Sequence, residues 1–428
     1  MKRKHARTGG RTLSGTYMGI KKSNLKYYVL NGVIYTTVTN LYKPFAQKFI
    51  FRLNGTEADV SLYNALPGLI AVFAIIPGIV LMTRCKSRKN VLSVFFFLAR
   101  LFMLSFAVVP LLPEPIRPIA FVLLCSFMNF PEAVSQTALQ SYSADVFAED
   151  ERAGAISARN KYSTFGSFII LLILGQLMNY FGSTDSKAIY VYQIFFIAAF
   201  ILGIYEIICF YKIKEVNQCS NESIDVVAST KEVFKNKAFI RFMACSLLFH
   251  FGWQMGWPLF SIYQIKYLGA NEVWLTISNV TSGIAQFASF SYWEKLINKK
   301  GDLYAIALAT TGMAATPIMY ALSPNLYILT VAGIIMGFFT AGTTTCVLSS
   351  LLEAAPEKNR IMYVGMHGTL TNVTLAVAPL LGAFVLARSN IYIALVICAA
   401  ARFAGSYAFF KREKHARRAR ITGNDVSV

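Results

Sequence analysis

The side chains that could do chemistry in this chain are few, and most of them lie inside long apolar stretches. Glu132 is the one acid set deep in such a stretch. It stands in the series Asn129, Glu132, Gln136 and Gln140, which steps by 3, 4 and 4 residues. A second series, Thr36, Asn40, Lys43 and Gln47, steps by 4, 3 and 4, and a third, Ser246, His250, Gln254, Trp257 and Ser261, by 4, 4, 3 and 4. These are helical intervals, so each series occupies one face of a helix. Asn160 with Ser163, and Asn279, Ser282 and Gln286, add shorter sets, and Thr340 with Thr344 a vaguer one. Such residues bind by hydrogen bonds, and a buried Glu132 can also take a proton. They do not make or break covalent bonds: no Ser-His-Asp arrangement appears, and the one acid cluster is Asp145, Glu149, Asp150 and Glu151. The 7 cysteines show no CxxC and the 4 histidines are scattered, so no metal site is expected. Neither GxxxxGK[ST] nor a GxGxxG after a strand is present, so no nucleotide or other cofactor is expected.

The elements that must carry these residues follow from composition. Of 428 residues 55% are hydrophobic and only 14% charged. That is too apolar for disorder and too sparsely charged to cover a soluble surface. A helix needs about 20 mostly apolar residues to cross the hydrocarbon. Twelve stretches meet this: 27–49, 60–83, 91–112, 118–141, 156–181 and 189–211, then 239–262, 273–293, 303–322, 326–351, 361–387 and 390–410. They are long and do not alternate, which excludes a β-barrel. The first contains Asn40, Lys43 and Gln47 and no small-residue cleavage site, so it reads as an uncleaved span. The expected fold is an all-α polytopic membrane protein of twelve transmembrane helices in two six-helix bundles.

The net charge of +20 has the same origin. Residues at span ends being counted with the adjoining loop, 32 of the 41 Lys and Arg fall on the side of the two termini and 6 on the other, while Lys43, Arg100 and Arg402 lie within spans. By the positive-inside rule both termini are then cytoplasmic, in a cytoplasmic membrane. The basic charge faces anionic lipid, and no nucleic-acid partner is expected. The divisions are a basic tail 1–26, a bundle 27–211, a polar linker 212–237, a second bundle 238–410 and a basic tail 411–428.

Two halves of equal span number invite a search for repeats. After the fourth span runs Asp145-Val146-Phe147-Ala148-Glu149-Asp150-Glu151-Arg152, and after the tenth Glu353-Ala354-Ala355-Pro356-Glu357-Lys358-Asn359-Arg360. Each is an acid, six residues, then Arg. A weaker pair joins Thr83-Arg84-Cys85-Lys86-Ser87-Arg88-Lys89 to Asn298-Lys299-Lys300-Gly301-Asp302. With the six-plus-six layout and the central loop, these segments resemble the major facilitator superfamily along essentially the whole chain. Ser141 to Asn160 and Leu351 to Gly365 resemble its bacterial branch.

The resemblance implies secondary transport of a small organic solute by two bundles rocking about a central cavity, coupled to protons or another cation, in a monomer that needs only the lipid bilayer. It implies that spans one, four, seven and ten line the cavity. The candidate cavity residues are thus Thr36, Asn40, Lys43, Gln47, Asn129, Glu132, Gln136, His250, Gln254, Trp257, Asn279 and Gln286, with Glu132 as coupling carboxylate. It also implies that Asp145, Arg152, Glu353 and Arg360 form gating ion pairs on the inner side. Other readings stay open. The stripes could be interhelical hydrogen bonds, Glu132 could pair with Lys43, and Arg100, Arg402 and Glu206 could serve packing alone. A drug or lipid exporter of the same fold is an alternative, although span four lacks the Arg and span five the Gly-Pro pair of many drug antiporters. A membrane enzyme or sensor on this scaffold is a further one.

Overall fold

A computed structural model describes residues 8–84, 88–147, 149–214, 226–356 and 360–422, and among them there is no strand. The helices are α1 (Thr8–Asn40), α2 (Ala46–Arg52), α3 (Glu57–Arg84), α4 (Arg88–Val108), α5 (Arg117–Val146), α6 (Glu149–Phe181) and α7 (Asp185–Tyr211). They continue with α8 (Val226–Lys235), α9 (Lys237–Ile262), α10 (Glu272–Lys300), α11 (Asp302–Ala314), α12 (Thr316–Ala321), α13 (Leu326–Ala354), α14 (Arg360–Arg388) and α15 (Ile391–Thr422). Starts are set by local chemistry. The side chains of Asn236, Asn271, Asn325 and Asn390 each accept the backbone N–H three residues on, meeting one of the donors a helix leaves unpaired at its start.

Two prolines break spans in places that matter. Pro44 lacks an N–H, and between α1 and α2 the chain passes through a 3₁₀ turn, Lys43–Phe45. Pro317 likewise separates α11 from α12, and its missing N–H leaves the carbonyl of Met313 without its helical donor.

With α1–α2 and α11–α12 each making one span, and α8 lying in the linker, twelve transmembrane helices form two bundles. In the first, α3 packs on α5, α1 on α6 and α7, and α4 on α5 and α7; in the second, α10 packs on α13, α9 on α14 and α15, and α11 on α13 and α15. The bundles meet where α3 lies against α14 and α6 against α10. Gly68 and Gly175 allow this approach: a Cβ on Gly68 would sit 2.8 Å from Leu375, and one on Gly175 2.7 Å from Thr276. Among the described residues α4, α5, α6, α7, α11–α12, α13, α14 and α15 are long and apolar enough to cross a membrane. Helices α1, α3, α9 and α10 also have spanning length and complete the twelve. Rows of exposed apolar residues, such as Leu98, Leu101, Ile197 and Ile201, cover the outside. That is the arrangement expected where the solvent is lipid.

The halves share a further internal repeat. Ile189, Tyr190, Gly203 and Tyr205 of α7 recur 202 residues later as Ile391, Tyr392, Gly405 and Tyr407 of α15.

Candidate functional site

Polar residues cost free energy in lipid and are directed inward. Here they converge on a cavity of about 690 Å³ between the bundles. The kink at Pro44 places Lys43 in its wall, with Gln47 on the next turn. Helix α5 contributes Asn129, Glu132 and Gln136, α9 contributes Trp257, and α10 contributes Asn279. These seven are the expected residues that the fold brings together. Glu132 accepts the phenol of Tyr35 at 2.8 Å, and Asn129 donates to the backbone carbonyl of Pro67 at 2.7 Å. Among the described residues neither Glu132 nor Lys43 enters an ion pair, so the alternative Lys43–Glu132 salt bridge is not formed.

The other five expected residues are placed elsewhere, four of them held by other partners. The Thr36 hydroxyl donates to its own helix at Gly32 (3.0 Å), so its polarity points nowhere. Asn40 donates to Ser167 at 2.7 Å, joining α1 to α6. Gln254 donates to the Thr371 carbonyl and accepts the Thr374 hydroxyl, joining α9 to α14. His250 and His367 share the Ser246 hydroxyl at 3.2 and 2.9 Å, with ring centroids 5.6 Å apart, inside the second bundle. Gln286 is half-buried on α10 and is not in the wall.

The wall also holds residues that the polar series did not indicate. Tyr35, Tyr42 and Tyr63 line the first bundle's side, and Phe260 and Tyr320 stack at 4.3 Å on the second's. Gln264 donates to the Tyr320 hydroxyl at 2.8 Å, and Asn64 accepts from Gln47 at 3.5 Å. Tyr28 and Tyr35 of α1 and Tyr42 just beyond its end follow at intervals of seven, a signal that could have marked this side. The cavity therefore offers flat rings, amides and hydroxyls, with one carboxylate and one ammonium group.

The gating residues were expected on the side of the termini. The side chains of Asp145, Arg152 and Arg360 lie outside the described residues, and Glu353 is exposed on α13. Two ion pairs do cross between the bundles, at the end distal to the termini. Arg52 donates through Nε and Nη2 to the two oxygens of Glu272, both at 2.8 Å, and also pairs with Asp185 of its own bundle. Tyr192 donates to the same Glu272 at 3.0 Å. Lys266 pairs with Glu57 at 2.9 Å. Burial pushes the Glu272 carboxyl up, but the hydrogen bonds and charge of Arg52 outweigh that and hold it below its ordinary value.

Comparison with known proteins is informative at two levels. The family model of the Major Facilitator Superfamily matches residues 28–302 and 242–425. A structure of a mutant of the nucleoside transporter NupG superposes with a TM-score of 0.70 at 14% identity, covering 92% of this chain and 99% of that one. A further structure of that transporter gives 0.67 at 14% identity, covering 91% and 98%. At that identity the likeness is one of fold. No curated protein matches the sequence.

Proposed function

We infer that this chain, which belongs to the Major Facilitator Superfamily, carries a small, uncharged, ring-bearing polar solute of the nucleoside class, with protons as the coupling ion. The coarse statement, a secondary transporter in a membrane, comes with the family and the fold. The finer one rests on the cavity wall. About 690 Å³ is within the range of small-ligand sites and leaves room for a solute with some water. Tyr35, Tyr63, Trp257 and the stacked Phe260–Tyr320 pair supply faces for a planar ring. Gln47, Asn64, Gln136, Asn279 and Asn372 supply donors and acceptors for hydroxyls and a base edge. The nucleoside transporter with the same fold supports this class. A wall so rich in amides suits a drug or lipid exporter poorly, since each amide would be left unpaired against an apolar ligand.

The bias of basic residues toward the termini supports a cytoplasmic location for both of them. The pairs Arg52–Glu272 and Lys266–Glu57 then close the outer end, and alternating access requires them to part. Glu132 is the coupling carboxylate of this reading, since it stands in the wall with one hydrogen bond and no ion pair among the described residues. The test is accumulation of tritiated uridine by proteoliposomes under an imposed pH gradient, with a panel of nucleosides, sugars and amino acids as competitors. Accumulation that nucleosides alone suppress, and that Glu132→Gln abolishes, is the expected result. Accumulation without dependence on the pH gradient refutes proton coupling, and suppression by sugars instead refutes the solute class.

A further inference from the structure

Behind Tyr35, away from the cavity, lies a polar group that the cavity does not use. Arg100 of α4 and Glu206 of α7 are both buried, at 1% and 0% exposure, and face each other inside the first bundle. A buried guanidinium and carboxylate normally meet fork to fork, each nitrogen on its own oxygen. Here Nε of Arg100 donates to Oε2 at 3.0 Å, and Nη2 lies 3.0 Å from the same oxygen. Glu206 Oε1 is left buried with no partner, and so is Arg100 Nη1. Asn31 of α1 donates to the Glu206 backbone carbonyl at 3.4 Å, and its own Oδ1 is buried without a partner as well. Around Glu206 there are thus two unmet acceptors and one unmet donor. A proton on Oε1 adds a donor while that oxygen keeps acceptor capacity, so that donors and acceptors come to two each.

This group is joined to the cavity. The Arg100 guanidinium lies 5.5 Å from the centre of the Tyr35 ring, and the Tyr35 hydroxyl donates to Glu132 at 2.8 Å. One arginine therefore stands between two carboxylates, bonded to Glu206 and separated from Glu132 by a single aromatic ring. The other charged group facing this region is Arg159 of α6. It lies toward the termini with its guanidinium 5.3 Å from the Tyr28 ring, and its Nε and Nη2 are buried without partners.

We propose that Glu206 is a second, fully buried proton-binding carboxylate, linked to the cavity carboxylate Glu132 through Arg100 and Tyr35, so that the first bundle takes up one proton shared between the two sites. The proton comes from cavity water and adds to a carboxylate oxygen; no other bond changes. With Glu132 ionised, Arg100 is drawn on by two carboxylates and the proton is favoured at Glu206. With Glu132 protonated, Arg100 serves Glu206 alone and holds it ionised. The proposal extends the proton-coupled reading of the cavity, but its first test needs no solute.

The experiment is pH-difference infrared spectroscopy of the purified protein in lipid nanodiscs. A titrating band of a protonated, non-hydrated carboxyl is expected in the wild type. It should vanish in Glu206→Gln, and in Glu132→Gln its midpoint should move by about one pH unit or more, a tenfold change in proton affinity, as for two coupled sites. Should Glu206→Gln fail to fold, the double variant Arg100→Met with Glu206→Leu removes the pair without leaving a lone charge, and it must lack the band too. Absence of the band in the wild type, or its persistence in these variants, overturns the proposal. In vesicles the double variant should lose accumulation driven by a pH gradient while keeping solute exchange at equal pH; retained accumulation likewise overturns it. Wild-type vesicles that move no uridine count against the proposed solute and leave the infrared result to decide the role of Glu206.

Discussion

Replacing Glu272 with Gln should open the molecule at the end distal to the termini. Arg52 and Glu272 form a two-point pair across the bundles, with side chains 14% and 4% exposed. Unit charges about 4 Å apart at an effective dielectric constant of about 20 attract by about 4 kcal/mol. Removing one partner of a buried pair costs about 3–5 kcal/mol, because the other charge is left behind. In this variant Arg52 keeps Asp185, but that side chain is 77% exposed and recovers little. Tyr192 can still donate to the amide oxygen. A net loss of about 2–3 kcal/mol from the closed form is a fair estimate, and it multiplies the open-to-closed ratio by about 30–150. Spin labels on Ala58→Cys and Leu322→Cys, both exposed at this end in different bundles, report the change as a longer distance by electron double resonance. Acidification should have the same effect in the wild type. Glu272 is held below its ordinary value in the closed form, so the open form binds the proton more readily. The pair is intact above the ordinary carboxylate range and is lost as pH falls through the depressed value. A folded Glu272→Gln protein with an unchanged distance distribution would refute the assignment of this pair as the latch.

Three further outcomes are expected, two from the geometry and the last from the repeated acid-x6-Arg segments of the sequence. Arg402→Met should lower stability by about 2–4 kcal/mol without changing the pH profile of transport, since it strips donors from the carbonyls of Gly252, Trp253 and Met313; a thermal melt in detergent measures it. Trp257→Ala should weaken solute binding by about 1–3 kcal/mol, read as a rise of roughly 5- to 150-fold in the concentration for half-maximal uptake, with the melt unchanged. Asp145→Asn or Arg360→Ala should slow transport with solute binding largely kept, as gating residues would; loss of the binding signal in a folded Arg360→Ala protein would place that residue in the site instead.

How far the sequence discloses the site depends on what competes for each polar group. Asn129, Glu132 and Gln136 were legible because an amide or carboxylate is costly against lipid and turns inward. Thr36 was misleading for the opposite reason: a threonine hydroxyl can bond the carbonyl four residues back, so its polarity carries no direction. Asn40 and Gln254 do point inward, but to partners on α6 and α14 that lie more than a hundred residues away in the chain, and His250 bonds Ser246 four residues back on its own helix. The aromatic half of the wall was hidden because Tyr35, Tyr63, Phe260 and Tyr320 count as apolar wherever hydropathy decides the span. The ion pair between the bundles was hidden more deeply. Arg52 and Glu272 are 220 residues apart, and each reads alone as an ordinary charge at the edge of the membrane. The twelve-helix fold was legible because it rests on length and apolar content, which are local; an ion pair between bundles is not.

Arg100 and Arg402 show why a buried charge has to be judged by its partners. From sequence they are alike, each an arginine inside a span. Arg402 is fully buried, yet its Nε, Nη1 and Nη2 donate to three backbone carbonyls at 2.9–3.2 Å, and its guanidinium lies 4.9 Å from the Phe260 ring. One of those carbonyls, that of Met313, is the one Pro317 deprives of its helical donor. Arg402 thus repairs a break in α11–α12 and braces the cavity wall at Phe260. All three nitrogens are engaged, and no carboxylate is among their hydrogen-bond partners. Arg100 has a nitrogen unmet, a carboxylate partner with an oxygen unmet, and a ring that connects it to the cavity. A closed set of bonds fixes a structure, whereas an open one can gain or lose a proton. On the proposed reading the two halves, built as repeats, divide their work: the open set lies in the first bundle, where coupling is proposed, and the closed set braces the cavity wall from the second.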